Sequence, residues 1–128
     1  MPVDEIGLVY DFENKLIKGY VAMNIIEISV QDLEALRKAD ADFLLLDVRN
    51  PDEYAECNLK GYLIPLHELS ARLNELNPNQ HIVVHCMAGG RSRRATEYLL
   101  SQGFKHVENL RGGLNAWVNE INPALRKK

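Results

Sequence analysis

A cysteine followed by two glycines and an arginine is the feature of this sequence best suited to chemistry. Residues 84–94 read VHCMAGGRSRR, so Cys86 ends an apolar run and stands just before a helix that we expect to begin near Ser92. Glycines let successive backbone N–H groups turn inward, and the start of a helix adds unpaired N–H groups and the positive end of its dipole. Such a cup stabilises a thiolate and lowers the pKa of the cysteine, particularly with Arg91 nearby. We therefore expect Cys86 to be a nucleophile at neutral pH.

The ordinary alternative for Cys86 is a packing role, because free cysteine is among the most frequently buried residue types. Here the glycines, the arginine and the predicted helix follow the cysteine in the order that an anion-binding loop requires. In an open parallel sheet, ligands bind outside the carboxyl ends of the strands, which is where this loop would lie. The combination favours a reactive cysteine.

Strands must position this loop, and two continuous apolar runs predict them. Residues 43–48 and 81–86 have strand length and carry apolar side chains at successive positions. Such runs are typical of parallel strands with both sheet faces covered. A shorter strand is predicted over residues 107–110.

Helical patterns alternate with these strands. Ser29 and Asp32 form a capping signature, Asn50-Pro51 is a helix start, and Gly112-Gly113 turns the chain into a last helix. Helices are predicted at residues 30–38, from residue 51, at 66–76 on the spacing of four leucines, at 92–103 and from residue 113. The alternation indicates an α/β fold with a mainly parallel central sheet flanked by helices.

Composition and charge limit the class of protein. The chain has 128 residues, of which 46% are hydrophobic and 26% charged, as in a soluble protein with one core. The net charge of −3 argues against a nucleic-acid partner. No apolar run approaches the roughly 20 residues needed to cross a membrane, and the first residues, MPVDEIG, lack the order of a signal peptide. We expect a cytoplasmic protein without a membrane partner, in which Cys57 and Cys86 are free thiols.

Three segments are predicted along the chain. Residues 1–25 fit the α/β rhythm poorly and form an N-terminal extension, with a β-hairpin suggested around Glu13-Asn14. Residues 26–122 form the α/β domain, and residues 123–128 form a basic C-terminal tail.

Two ordered groups of residues extend over about residues 27–121. The first comprises Leu45-Leu46-Asp47-Val48-Arg49, Glu53-Tyr54, Gly61 and Ile64-Pro65-Leu66. The second comprises Cys86-Met87-Ala88-Gly89-Gly90-Arg91-Ser92, Ala95, Leu99, Gly103-Phe104, Val107, Leu110, Gly112-Gly113 and Ala116-Trp117. Together the two groups resemble the rhodanese-like sulfurtransferase family, and the resemblance implies a rhodanese-like fold.

The resemblance also implies a mechanism and a site. The Cys86 thiolate would take sulfane sulfur from a small-molecule or protein donor, hold it as a persulfide and pass it to a thiophilic acceptor, with no cofactor and no metal. Arg91 would hold the loop and attract an anionic donor, while Asp47 and Arg49 would support the site as structural partners. The substrate-binding loop would comprise Met87, Ala88, Gly89, Gly90, Arg91 and Ser92.

Details of the loop bear on the substrate. Four residues separate Cys86 from Arg91, as in sulfurtransferases. The related dual-specificity phosphatases have one residue more and a wider cradle, so phosphatase activity is not expected. Family members that use thiosulfate often carry a basic residue where this chain has Met87. Thiosulfate is therefore expected to be a poor donor.

A narrower resemblance concerns the acceptor. Asn58-Leu59, followed by Gly61 and Leu63-Ile64-Pro65-Leu66, resembles the rhodanese domains fused to MoeB/ThiF-like adenylyltransferases. Residues 8–11 resemble the closing strand of such an adenylylating domain, as in a relic of a fusion. The acceptor implied is a small sulfur-carrier protein of molybdopterin or thiamine synthesis.

Two other interpretations stay open at this point. The fold could serve as a non-catalytic interaction module, although an intact Cys86 loop argues against it. Alternatively, Cys57 could resolve an oxidised or persulfidated Cys86, whereas the simpler interpretation makes Cys57 a packed thiol. His85 is interpreted as a strand residue, because a metal role would need partners at suitable spacing.

Overall fold

Five parallel strands form the central sheet of the structure, which is a computed structural model describing residues 25–126. The strands are β1 (Ile26–Ile28), β2 (Leu44–Asp47), β3 (Tyr62–Leu63), β4 (His81–His85) and β5 (His106–Leu110). Their order across the sheet is β1-β5-β4-β2-β3, and every neighbouring pair is parallel. The predicted N-terminal hairpin and the last two residues of the predicted tail lie outside the described residues.

The described residues contain four α-helices: α1 (Val30–Lys38), α2 (Pro51–Glu56), α3 (Gly90–Ser101) and α4 (Gly113–Glu120), of which the first three connect strands and α4 follows β5. The predicted capping box of α1 is present, since the Asp32 N–H donates to Ser29 Oγ at 3.0 Å and the Ser29 N–H donates to the Asp32 carboxylate at 3.3 Å. The chain ends its described part in a 3₁₀ turn, Pro123–Arg126. No helix among residues 25–126 has the length and apolarity needed to cross a bilayer.

The predicted helix over residues 66–76 is wrong. The segment instead forms two short 3₁₀ turns, Leu66–Glu68 and Leu73–Glu75. Leu69 and Leu76 are buried in the core and the other two leucines pack against it. Because 3₁₀ turns return to the same face every three residues, they can bury leucines at nearly the spacing that an α-helix uses. The apolar pattern therefore identified the buried face and misassigned the backbone.

Two strands were missed by the sequence analysis. β1 has three residues and β3 has two, which is shorter than the runs that strand patterns can identify. Both lie at the edges of the sheet, and Ile26 and Tyr62 are exposed there. Their pairing with longer neighbours, rather than their own sequence, makes them strands.

Both faces of the sheet are covered, as the apolar runs predicted. On one face Leu46 and Val84 pack against α3 and the leucines of the 3₁₀ turns. On the other face Leu45 and Val83 pack against α1 and α4. Successive side chains of a strand point to opposite faces, so a strand between two layers needs apolar residues at every position.

The parallel arrangement brings the ends of β2 and β4 together. Asp47 is in register with His85, so the chain leaves both strands at the same edge of the sheet. The Val48 N–H donates to the His85 carbonyl at 3.0 Å and extends this pairing by one residue. The residues that follow β2 therefore lie beside the loop that begins at Cys86.

Candidate active site

Cys86 directly follows β4, and its sulfur lies inside a turn of backbone N–H groups. The Gly89 N–H donates to Cys86 Sγ at 3.1 Å and the Ser92 N–H donates to it at 3.3 Å. The Ser92 hydroxyl oxygen lies 3.4 Å from the sulfur, where it accepts the S–H of the thiol and can donate its O–H to the thiolate. Gly89 adopts φ 115°, a backbone conformation that favours glycine, and it caps the start of α3. The helix consequently begins at Gly90, two residues before the predicted start, and its first turn faces the sulfur.

The carbonyl side of this loop is held by the N-terminus of α4. The Leu114 N–H donates to the Cys86 carbonyl at 2.9 Å, and the Asn115 N–H donates to the Met87 carbonyl at 3.0 Å. Both donors belong to the first turn of α4, where N–H groups have no partner within the helix. With these carbonyls bound to α4, the N–H groups that follow are available to the sulfur. The sequence predicted only that Gly112-Gly113 turns the chain into a helix. In the structure, the helix that starts at this pair also binds the carbonyl groups of the loop.

Replacing Gly113 by alanine is expected to disrupt this support. A Cβ at Gly113 would lie 2.6 Å from the Cys86 carbonyl oxygen and 2.7 Å from that of Met87, and the residue has φ 57°. Backbone strain and the clash together should cost about 2–4 kcal/mol of unfolding free energy. Denaturant unfolding measures this loss, and sulfur transfer should fall even in the fraction that remains folded.

Gly90→Ala provides the matched control for this prediction. A Cβ at Gly90 meets no atom within 4 Å, and the substitution adds a better helix former at the start of α3. Its unfolding free energy should stay within about 1 kcal/mol of the wild type. Equal stabilities of the two variants would contradict the role given to Gly113.

The pKa of the Cys86 thiol lies below its ordinary value. Burial by itself raises this pKa, but hydrogen bonds from the Ser92 hydroxyl and from the N–H groups of Ser92, Gly89 and Ala88 outweigh it. Cys86 is only 1% exposed, so the thiolate is stabilised by protein dipoles rather than by water. The loop thus combines a reactive sulfur with restricted access.

Arg91 holds the loop against α2. Its guanidinium donates to both carboxylate oxygens of Glu53, at 2.7 and 2.9 Å, and the same carboxylate accepts the Asn50 N–H at 2.9 Å. Arg91 was predicted to hold the loop, and the group that it binds is Glu53, which the sequence analysis did not include in the site. The sequence offered one indication of this role, since Glu53-Tyr54 belongs to the first group of residues that resembles the family. Because the pair is bidentate, Glu53 neutralises much of the charge that Arg91 would offer an anion.

Replacing Glu53 by glutamine should remove a pH-dependent part of the stability. Hydrogen bonding from Arg91 lowers the pKa of Glu53 from 4.5 to about 2. A carboxyl group with a depressed pKa stabilises the fold above its unfolded-state pKa, and this stabilisation is lost as the pH falls through the folded-state value. The advantage of the wild type over Glu53→Gln should therefore be full above about pH 4.5 and decline toward pH 2.

Urea unfolding of both proteins across this pH range measures the effect. Asp52→Asn removes an exposed carboxylate one position earlier in α2 and serves as the control. A difference between wild type and Glu53→Gln that is constant with pH would contradict the prediction.

Asp47 and Arg49 form a buried ion pair beside the loop. Both side chains are fully buried, and Arg49 Nη2 lies 2.8 Å from Asp47 Oδ2. The same Nη2 donates to the Cys57 carbonyl at 2.8 Å, so Arg49 links the end of β2 to the end of α2. A structural role for Asp47 and Arg49 stays a prediction, and these contacts are the reason to test it. The His85 ring lies beside Asp47, with Nε2 3.4 Å from the carboxylate, and burial lowers the pKa of the imidazole.

The predicted loop residues Met87, Ala88 and Gly90 are more accessible to solvent than Cys86. Ala88 and Gly90 are exposed, whereas Met87 is half-buried and packs toward α4. Met87 Sδ lies 3.4 Å from a guanidinium nitrogen of Arg126. Both cysteines are free, as predicted, and Cys57 packs against the core on the α1 and α4 side of the sheet.

A groove of about 590 Å³ opens next to the loop. Leucines and a tyrosine contribute apolar walls, and two arginines of α3 contribute positive charge. The lining residues are Val48, Asn50, Leu66, His67, Leu69, Ser70, Arg91, Arg94 and Tyr98. Arg91 belongs both to this groove and to the loop around the sulfur, so a molecule in the groove would lie against the loop.

Comparisons with known proteins bear on the whole described domain. A family model described as Rhodanese-like domain matches residues 29–120. The chain is 39% identical over 98 residues to a protein of Allochromatium vinosum named Sulfurtransferase, covering 73% of this chain and 92% of that protein. It is 33% identical over 113 residues to Adenylyltransferase and sulfurtransferase MOCS3 of Arabidopsis thaliana, covering 75% of this chain and 24% of that protein. Among solved structures, a rhodanese-related protein of Thermoplasma volcanium has a TM-score of 0.69 at 30% identity, over 77% of this chain and 95% of that one.

Proposed function

Because the chain belongs to the rhodanese-like domain family, we propose that it is a sulfurtransferase that carries sulfane sulfur as a persulfide on Cys86. The family and the relative named Sulfurtransferase support a sulfur-transfer role in general. The observation that carries the finer proposal is the position of the Cys86 sulfur, which accepts hydrogen bonds from the Gly89 and Ser92 N–H groups. These donors lower the pKa of the thiol and would equally stabilise a persulfide anion.

The proposed reaction has two displacement steps at sulfur. In the first, the Cys86 thiolate attacks the outer sulfur of the donor, a new S–S bond forms, and the donor's bond to that sulfur breaks with its electron pair leaving on the donor. In the second, a thiophilic acceptor attacks the outer sulfur of the persulfide, and Cys86 leaves as the thiolate. No net oxidation of the protein occurs, and the negative charge stays within reach of the same N–H groups.

We propose that thiosulfate is a poor donor for this protein. Arg91 is already paired with both oxygens of Glu53, and Met87 brings no charge to the loop. A dianion would therefore find little uncompensated positive charge at the sulfur. The 1% exposure of Cys86 further favours a donor that presents a terminal sulfur end-on, such as a protein persulfide.

The proposed acceptor is a small sulfur-carrier protein activated at its C-terminus as an acyl adenylate, and it requires a different second step. The outer sulfur of the persulfide would attack the acyl carbon and release AMP, forming an acyl disulfide with Cys86. Two thiol molecules would then reduce this disulfide, which releases the carrier as a thiocarboxylate and Cys86 as the thiolate. Support comes from the name of one relative, Adenylyltransferase and sulfurtransferase MOCS3, in which the part that this chain matches is 24% of the length. The residues that resemble the fused type, Asn58, Leu59 and Gly61, lie in the segment between α2 and β3. The groove beside the loop has apolar walls that could accept an extended chain end.

Two alternatives make different predictions for sulfur loading. A non-catalytic interaction module would acquire no sulfur at all, although the hydrogen-bonded Cys86 loop speaks against this role. A resolving role for Cys57 would require a Cys57–Cys86 disulfide under mild oxidant, and failure to form one would count against it.

Intact mass spectrometry tests the proposed function. The protein is incubated with thiosulfate, with 3-mercaptopyruvate, or with a cysteine desulfurase and cysteine. We expect a gain equal to one sulfur atom, located on the peptide that contains Cys86, removed by cyanide or a thiol, and greatest with the desulfurase. Cys57→Ser should show the same gain, and an unchanged mass with every donor would overturn the proposal.

A further inference from the structure

Two histidines and a glutamate converge at the end of the sheet opposite to Cys86. We propose that His81, His106 and Glu108 form a binding site for a divalent transition-metal ion of the Zn²⁺ type. Each residue offers one ligand atom, and the three atoms lie within 4.8 Å of one another. This site is independent of the proposed sulfur transfer.

The geometry of the cluster follows from strand pairing. His81 begins β4 and is in register with His106, which begins the neighbouring strand β5. Glu108 comes two residues after His106 and therefore points to the same face of the sheet. Two rigid strands thus hold the three side chains together, although 25 positions separate the two histidines along the chain.

The imidazole nitrogens face one carboxylate oxygen. His81 Nε2 is in close contact with Glu108 Oε1, and His106 Nε2 lies 3.9 Å from the same oxygen. The two imidazole rings are stacked, with centroids 3.8 Å apart and planes within 2° of parallel. In this stacked arrangement the nitrogen lone pairs lie in parallel planes, so one ring must turn before both nitrogens can bind the same ion.

This donor set suits a zinc-type ion. Two imidazole nitrogens and a carboxylate oxygen are a known zinc ligand set, with water completing a tetrahedral site. Bonds of about 2.0 Å hold the ligand atoms of such a site about 3.4 Å apart. No two of the ligand atoms lie more than 4.8 Å apart, so the widest pair would need to close by at most about 1.4 Å, and the half-exposed His106 ring is the group able to turn.

The burial of His81 and Glu108 also favours a bound metal ion. The side chains of His81 and Glu108 are 18% and 14% exposed, so they are already mostly withdrawn from water. The Phe43 ring lies near the His81 ring, with centroids 6.0 Å apart and planes tilted by 46°. A metal ion would replace part of the hydration that these polar groups lack, and it would link β4 to β5.

The site is well separated from the sulfur. His81 and Cys86 are five residues apart along the strand, which corresponds to about 16 Å at the rise of a β-strand. A metal ion bound there would not contact the thiolate. Because thiolates also bind transition metals, the test needs a protein without Cys86.

Cobalt binding to Cys86→Ser tests the proposal. Co²⁺ substitutes for Zn²⁺ at nitrogen and oxygen sites and gives visible ligand-field absorption when it is four-coordinate. We expect such absorption with a dissociation constant in the micromolar range and its loss on addition of Zn²⁺. Zn²⁺ at about 100 times its dissociation constant should also raise the melting temperature by about 10 °C. No absorption at millimolar Co²⁺ would overturn the proposal.

Variants locate the ion. In the Cys86→Ser background, His106→Gln and Glu108→Gln should weaken Co²⁺ binding at least tenfold, while circular dichroism reports whether they remain folded. His67→Ala is the matched control, because His67 is an exposed histidine whose Nε2 lies 3.5 Å from Glu68. His106→Gln should also leave sulfur loading of the Cys86 protein unchanged. Equal weakening by His67→Ala, or unchanged binding by His106→Gln, would overturn the assignment.

Discussion

Replacing Cys86 by serine is expected to abolish sulfur loading while the protein stays folded. A serine hydroxyl is far less acidic than the thiol and forms no persulfide, so the proposed covalent intermediate cannot arise. The Gly89 and Ser92 N–H groups that now donate to the sulfur can donate to a hydroxyl oxygen instead. Serine is slightly smaller than cysteine and fits the same buried position, where its oxygen keeps these hydrogen bonds. The unfolding free energy should therefore change by about 1 kcal/mol or less.

The measurement is the mass gain after incubation with each sulfur donor, together with the rate of transfer to a thiol. Cys57→Ser is the matched control, since it removes the other thiol and should leave both quantities unchanged. Sulfur loading of Cys86→Ser at the wild-type level would show that Cys86 is not the carrier. Loss of loading in both variants would instead favour a relay through Cys57.

Asp47→Asn is expected to have the second large effect, which is a loss of unfolding free energy and not a loss of the sulfur-transfer reaction. Asp47 is the buried counter-charge of Arg49, whose Nε and Nη2 both donate to its carboxylate. An asparagine would leave the Arg49 charge uncompensated in the core and direct an amide N–H₂ toward another donor. Removal of one partner from a buried ion pair costs about 3–5 kcal/mol, which is a large part of the stability of a small domain.

Glu34→Gln is the control for this prediction. It makes the same change from acid to amide in the exposed Glu34–Lys38 pair, where about 0–1 kcal/mol is expected. Denaturant unfolding compares the two variants. Sulfur loading of folded Asp47→Asn should persist at low temperature, because Asp47 acts through Arg49 and the end of α2. Equal destabilisation by the two variants would contradict the structural role of the buried pair.

The sequence predicted most of the fold because the strands that carry the site have strong local signals. β2 and β4 are continuous apolar runs, and α1 has a capping box that the structure confirms. The segment over residues 66–76 was misassigned, since burial of every third or fourth leucine is compatible with 3₁₀ turns as well as with an α-helix. The edge strands β1 and β3 were missed, because strands of two or three residues depend on their neighbours.

The candidate site also has a part that the sequence predicted and a part that it did not. The Cys86 loop is contiguous in sequence, so its glycines, arginine and helix start could be interpreted from their order alone. The groups that hold the loop come from elsewhere: Glu53 from α2, and the first turn of α4 from beyond β5. Their identity was visible in the sequence, but their contact with the loop was not.

By itself, the sequence determined a cysteine loop that lowers the pKa of its thiol, and a parallel sheet that places this loop at a carboxyl edge. Both follow from short-range effects, namely glycine conformation, helix starts and apolar runs. The tertiary structure alone decided that Arg91 is neutralised by Glu53, that α4 binds the loop carbonyls, and that His81 meets His106 and Glu108. Each of these contacts joins residues more than 20 positions apart. The pairing of strands and the packing of helices determine such contacts, because no local preference acts over that distance.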